Sequence, residues 1–135
     1  MLENHTPDKL TEPHEKVKWY RLHHSLKQTD VSECIGTSKD TYIRYEQGKD
    51  VTLSPPQYDK LASLFNVPVE CLLDEYNKFL YLGQGAQIKE FRKSHKITQV
   101  ELARRLSIQT QRLKRWEQGK NRMSKNWWEK LFEEP

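Results

Sequence analysis

The chain is poor in the residue patterns that most chemistries need. Its 135 residues include two cysteines, Cys34 and Cys71, far apart and with no Cys-x-x-Cys. The five histidines, at 5, 14, 23, 24 and 95, form no metal-ligand spacing, so no metal or other cofactor is expected. His23 and His24 read as the polar face of a helix. No apolar run approaches the roughly 20 residues that cross a bilayer, so no membrane partner is expected. Residues 1–13 are polar and lack a signal-peptide core, which makes the cytoplasm the expected compartment. A disulfide is not expected there. No strand alternation, Gly-rich phosphate loop or strand-turn nucleophile motif occurs. Serine, histidine and carboxylates are present but unassembled, and catalysis is not expected. No RNA-module motif or exposed aromatic platform is visible either.

What is present is a repeat. Arg44-Tyr45-Glu46-Gln47-Gly48-Lys49 returns 71 positions later as Arg115-Trp116-Glu117-Gln118-Gly119-Lys120. The register runs back without gaps through Gln28/Gln99, His24/His95, Arg21/Arg92 and Lys18/Lys89. Apolar positions match in kind: Val17/Ile88, Tyr20/Phe91, Leu26/Ile97, Val31/Leu102 and Ile35/Leu106. Such self-similarity implies one small unit used twice. Each unit, at about 55–65 residues, can bury a modest core alone.

The net charge of +4 conceals an asymmetry. Residues 1–85 carry 10 Lys/Arg against 13 Asp/Glu, net −3, whereas residues 86–135 carry 13 against 6, net +7. A polyanion favours the second half through phosphate neutralisation and counterion release.

Helical spacing and punctuation divide the chain into a flexible tail (1–13), a first domain (14–82), a short linker Gly83-Gln84-Gly85 and a second domain (86–135). In the first domain, helices are expected over His14–Ser25, Gln28–Ile35, and from the Ser38 cap to Tyr45–Gln47, with Gly48 at C′. Ser54-Pro55-Pro56 opens a fourth helix to Phe65, and Asn66-Val67-Pro68 breaks it. A fifth is expected with Val69, Leu72, Leu73, Tyr76 and Leu80 on one stripe. In the second domain, helices are expected over Ala86–Lys96, from a Thr98-x-x-Glu101 capping box, over Gln109–Glu117, and around Trp127-Trp128 and Leu131-Phe132. One of the two tryptophans is expected in the core and the other partly exposed. Lys27 stands where Thr98 does, so the first copy lacks the box. Phe79-Leu80-Tyr81-Leu82 is either ordinary core or a contact surface between repeats or with a second subunit.

Leu-x-Gln-x-x-Val-Ser-x-x-Ile-Gly-x-Ser and Ile-Thr-Gln-x-x-Leu-Ala-x-x-Leu-Ser-Ile, each followed by Arg-aromatic-Glu-Gln-Gly-Lys, resemble the lambda-repressor/Cro (XRE-type) helix-turn-helix family. The resemblance covers residues 16–75 and 87–132. It implies an all-α fold of two tandem lambda-repressor-like helix-turn-helix domains, the second shortened at its C-terminus. In such a motif one helix packs across a second, which enters the major groove. Ser32 and Ala103 are small enough for the close crossing. The outward face of the second helix is Gln109, Thr110, Gln111, Lys114 and Arg115 in the second copy. Gln suits adenine edges, and Arg or Lys suits guanine. Arg112 among them suits phosphate. In the first copy the face is Ser38, Lys39, Asp40, Ile43 and Arg44. Asp40 would repel phosphate but could accept from cytosine, and Ile43 could meet a thymine methyl. The resemblance further implies phosphate-contacting and bracing roles for Gln28 and Gln99, and phosphate contacts from Gln47, Gln118, Lys49 and Lys120. It also implies structural ion pairs Arg21–Glu46 and Arg92–Glu117. Lys27, Tyr42 in place of an aliphatic residue, and the missing fifth helix of the second copy depart from the family pattern.

The function expected is a sequence-specific double-stranded-DNA-binding transcriptional regulator, a repressor, with the second copy the stronger reader. The alternative is a protein-interaction module, such as an antitoxin or phage-type antagonist, on the same scaffold. A homodimer and a protein partner held through residues 76–82 both remain open. The first copy is either a weaker reader or a structural or dimerising unit.

Overall fold

The computed structural model describes residues 9–132, and every regular element among them is helical. The chain divides between Lys78 and Phe79 into two compact units. The expected flexible tail lies largely outside the described residues. Its last member, Pro13, is instead buried at the start of a helix, where its fixed φ and missing N–H cost nothing.

In the first unit, α1 (Pro13–His23) buries Val17, Tyr20 and Arg21. α2 (Gln28–Ile35) buries Val31, Ser32 and Ile35, and Gly36 ends it in the left-handed region at φ 71°. α3 (Lys39–Glu46) starts at Ser38, whose Oγ accepts from the Thr41 N–H at 3.1 Å. α4 (Pro55–Phe65) has a complete capping box: Gln57 N–H donates to Ser54 Oγ, and Ser54 N–H donates to Gln57 Oε1 at 2.9 Å. The Gln57 amide also donates to the Ile35 carbonyl at 3.2 Å, which ties α4 to the end of α2. Tyr20, Tyr42, Tyr45, Tyr58, Leu61, Phe65 and Leu72 form much of the core.

The fifth helix expected from Val69 onward is two pieces. A 3₁₀ turn (Val69–Leu72) is followed by Leu73 in extended conformation, and α5 (Glu75–Tyr81) begins afresh. The reason is local. The Asp74 carboxylate accepts from the Asn77 N–H at 2.8 Å, a capping bond that starts a new helix.

The second unit holds α6 (Gln84–His95), α7 (Gln99–Leu106), α8 (Thr110–Glu117) and α9 (Lys125–Phe132). The expected linker is not one: Gln84 and Gly85 are the first residues of α6, and Gln84 is buried. The Phe79–Leu82 stretch splits by residue. Phe79 is buried, with its ring 5.3 Å from Phe132 and 6.3 Å from Trp128. Leu82 is 60% exposed. Phe132 meets Phe91 at 5.4 Å as well, so the end of α5 closes this smaller core together with α6 and α9. Trp127 and Trp128 are both half-buried, rather than one in and one out.

The caps divide unexpectedly. Lys27 cannot accept with its side chain, yet Asp30 still accepts from the Lys27 N–H at 2.8 Å. The first copy thus keeps the carboxylate half of the box. The second copy has the hydroxyl half, with Thr98 Oγ1 accepting from the Glu101 N–H at 3.1 Å.

Candidate nucleic-acid interface

Each unit presents one short helix, α3 or α8, whose inner face is held by a carboxylate cluster. In the first unit, Arg21 donates through Nε to Glu46 Oε2 at 2.6 Å and through Nη2 to Oε1 at 3.0 Å. Gln28 donates to Oε1 at 3.2 Å, and the Tyr42 hydroxyl donates to Oε2. In the second, Arg92 makes the same fork on Glu117 at 2.7 and 3.0 Å, and Gln99 donates at 3.0 Å. Each arginine reaches on to a loop carbonyl, Leu26 or Ile97. Both glutamates are buried. Burial pushes the Glu46 carboxyl up, but the bonds from Arg21, Tyr42 and Gln28 outweigh it, and the group sits below the usual carboxylate range. The bonds to Glu46 and Glu117 raise the Arg21 and Arg92 guanidinium pKa values.

The N-terminal turn of each unit's first helix clasps the end of α3 or α8. His14 Nδ1 meets the Glu46 carbonyl at 3.3 Å. In the second unit, the Gln84 amide donates to the carbonyls of Trp116 at 2.9 Å and Asn121 at 2.6 Å, and its oxygen accepts from the Met123 N–H at 2.9 Å. Beside it, a Cβ on Gly85 would stand 2.9 Å from the Glu117 carbonyl carbon and closer still to its oxygen. Only a bare Cα allows α6 to approach α8 so closely.

On the outer faces, Gln109 is the N-cap of α8 and is exposed, as are Gln111, Arg112, Lys114, Arg115, Gln118 and Lys120. Thr110 is half-buried. The matching face of α3 exposes Lys39, Asp40, Arg44, Gln47 and Lys49, with Ile43 half-buried. Ser38 is exposed, but its hydroxyl is engaged in the cap and donates to Thr41 Oγ1 at 2.9 Å. Arg44 is paired with Asp50 at 3.1 Å. The position matching Asp50 in the second unit is Asn121, which has no charge.

The sequence profile of the helix-turn-helix family matches residues 17–70 and 88–125, more than half of the chain. The chain belongs to the helix-turn-helix family, of the lambda-repressor type. Among similar proteins, the cryptic phage CTXphi transcriptional repressor RstR of Vibrio cholerae is 36% identical over 62 residues, 44% of this chain and 53% of that protein. An uncharacterized helix-turn-helix-type transcriptional regulator of Methanocaldococcus jannaschii is 39% identical over 56 residues, 41% of this chain and 82% of its own length. The match to the phage repressor therefore spans about half of that protein's length. No solved structure matches the chain.

Three residues of these helix-turn-helix units escape a reading by motif. Gln84 and Gly85 look like a linker, and Tyr42 looks like a departure from pattern. Extending the repeat four positions back from Val17/Ile88 pairs Pro13 with Gln84, so a helix start in one copy predicts one in the other. Nothing in the sequence signals that Tyr42 would be fully buried with its hydroxyl on Glu46.

Proposed function

We propose that this chain is a sequence-specific double-stranded-DNA-binding transcriptional regulator, acting as a repressor by occupying an operator, with its second unit the stronger reader. One observation carries the reading. α8 exposes Gln111, Lys114 and Arg115 on a helix whose other side is clamped by Arg92, Gln99 and Glu117. Base reading needs such donors on a preset helix, because each group ordered beforehand loses less entropy on binding. Gln118 and Lys120, at the end of α8, suit backbone phosphate. The first unit offers a weaker face: Asp50 places a carboxylate against the exposed Arg44, and Asp40 adds a like charge to that of phosphate. Two linked modules still profit, since binding of one raises the effective concentration of the other.

Selection from a random duplex library tests this directly. A recovered motif supports the reading, with one short block implicating one unit and two spaced blocks both. Arg115→Ala and Gln111→Ala are expected to relax base preference at the cost of roughly 1–3 kcal/mol each, with the fold intact. Recovery of no motif would move the function to the second reading, a protein-interaction module. Leu82, 60% exposed beside the buried Phe79, and the charge-compensated first unit favour that alternative.

A further inference from the structure

Arg112 is held unlike any other cation on the outer face of α8. Its guanidinium carbon lies 5.2 Å from the Trp116 ring centroid and 5.0 Å from that of Trp127 on α9. The two indoles are themselves 5.8 Å apart at 53°. The Lys130 ammonium lies 4.9 Å from the Trp127 centroid. Cation–π contacts of this kind restrain a guanidinium without pairing its charge, which stays available to an anion. Arg112 and Lys130 remain exposed, and Trp127 is half-buried. In the first unit the place of Arg112 is taken by Thr41, which is bound into the Ser38 cap.

We infer that Trp127 is a positioning residue for DNA: it presets Arg112 and Lys130 as a backbone-phosphate clamp that extends the interface of the second unit from α8 onto α9. The inference rests on the DNA-binding reading above. A free arginine side chain loses rotamer freedom when it meets phosphate, whereas one already held over indoles loses less. Two cations within 5 Å of one ring also concentrate positive charge at the edge of α8. Phosphate contacts of this kind fix orientation and carry no base preference. The clamp therefore strengthens binding to any duplex.

The test uses the full chain and a mixed-sequence DNA duplex, with affinity measured over a series of salt concentrations and the thermal unfolding of every variant alongside. Arg112→Gln is expected to lower the slope of log K against log salt by about 0.9, one phosphate contact. Trp127→Leu should weaken binding roughly two- to fivefold. Added to a chain that already carries Arg112→Gln and Lys130→Gln, it should cause little further loss. Trp127→Phe, which keeps a ring, should rescue most of the binding. Should Trp127→Leu unfold the second unit, Trp127→Phe and Lys130→Gln carry the test, the latter also lowering the slope. An unchanged slope in Arg112→Gln overturns the inference. So does a Trp127→Leu loss of the same factor with and without the two cations, which would mark a purely structural indole. A wild-type chain that binds no duplex at any salt overturns the DNA-binding reading itself, and the clamp with it. Wild-type binding with unaltered variants overturns the clamp alone.

Discussion

At the scale of single residues, the buried carboxylates govern both units. Glu117 is 5% exposed and accepts three hydrogen bonds, from the two-pronged Arg92 and from Gln99. Removing Arg92 leaves the buried Glu117 charge with Gln99 as its remaining donor, so Arg92→Ala is expected to cost roughly 3–5 kcal/mol. Glu117→Ala should cost less, because the half-buried Arg92 can turn to water. Replacing both with apolar residues of similar volume should cost much less, because no orphaned charge remains. Urea denaturation of the singles and the double checks this. An Arg92→Ala variant within about 1 kcal/mol of the parent would contradict the buried-charge account. Gly85 offers a sharper test of geometry. Gly85→Ala gains helix propensity but drives a methyl into the Glu117 carbonyl, so the net effect is a loss of at least about 1–3 kcal/mol. A stabilised Gly85→Ala would show that α6 can part from α8 freely.

At the scale of elements, short helices stand or fall by their ends. α2, α3, α7 and α8 have eight residues each, too few to persist alone, so packing and caps must hold them. Ser38→Ala removes the hydroxyl that caps α3, at a cost of about 1 kcal/mol. The same substitution should leave the second unit's stability unchanged, which separate denaturation of the two units would register. Most helix boundaries were readable from such signals. Ser54-Pro55, Thr98 and the run Gln28–Ile35 all stand where pattern and capping chemistry put them. The break at Leu73-Asp74 was not readable, because the apolar stripe continues through it while Asp74 caps a new helix. Nor was the start of α6 readable from local propensity, although the repeat register points to it. Gly-Gln-Gly reads as a loop by local propensity, and the packing of Gly85 against Glu117 overrides it.

At the scale of the whole molecule, the two units share a plan but not a core. Tyr42 and Tyr45 in the first are Leu113 and Trp116 in the second. Burial, with Glu46 beside Tyr42 and Tyr58 beside Tyr45, raises both tyrosine pKa values, and burial pushes Tyr58 up to about 12. A group whose folded pKa is raised stabilises fully below its unfolded value, near 10 for tyrosine, and loses that contribution as pH climbs through the folded value. The first unit should therefore weaken above about pH 10, and the second should gain no such sensitivity from Leu113 and Trp116. In a Trp19→Phe variant the remaining tryptophans, at 116, 127 and 128, all report the second unit. An alkaline transition seen by circular dichroism but not by this fluorescence is the expected result. Coincident transitions would refute the unequal cores. No helix among the described residues is long and apolar enough to cross a membrane.

The sequence by itself determined that there are two helical units of one family, because repeat register, apolar spacing and capping residues are local or self-referential signals. It also determined which faces of α3 and α8 are polar, since a 3.6-residue period fixes the outward positions once the core is assigned. Only the tertiary structure decided what those faces are worth. The pairing of Arg44 with Asp50, the Tyr42 hydroxyl on Glu46, the grip of Gln84 on the end of α8 and the cation–π contact of Arg112 with two indoles all join residues through distances in space. Such contacts depend on how helices pack, and packing is a property of the folded chain that no local window contains.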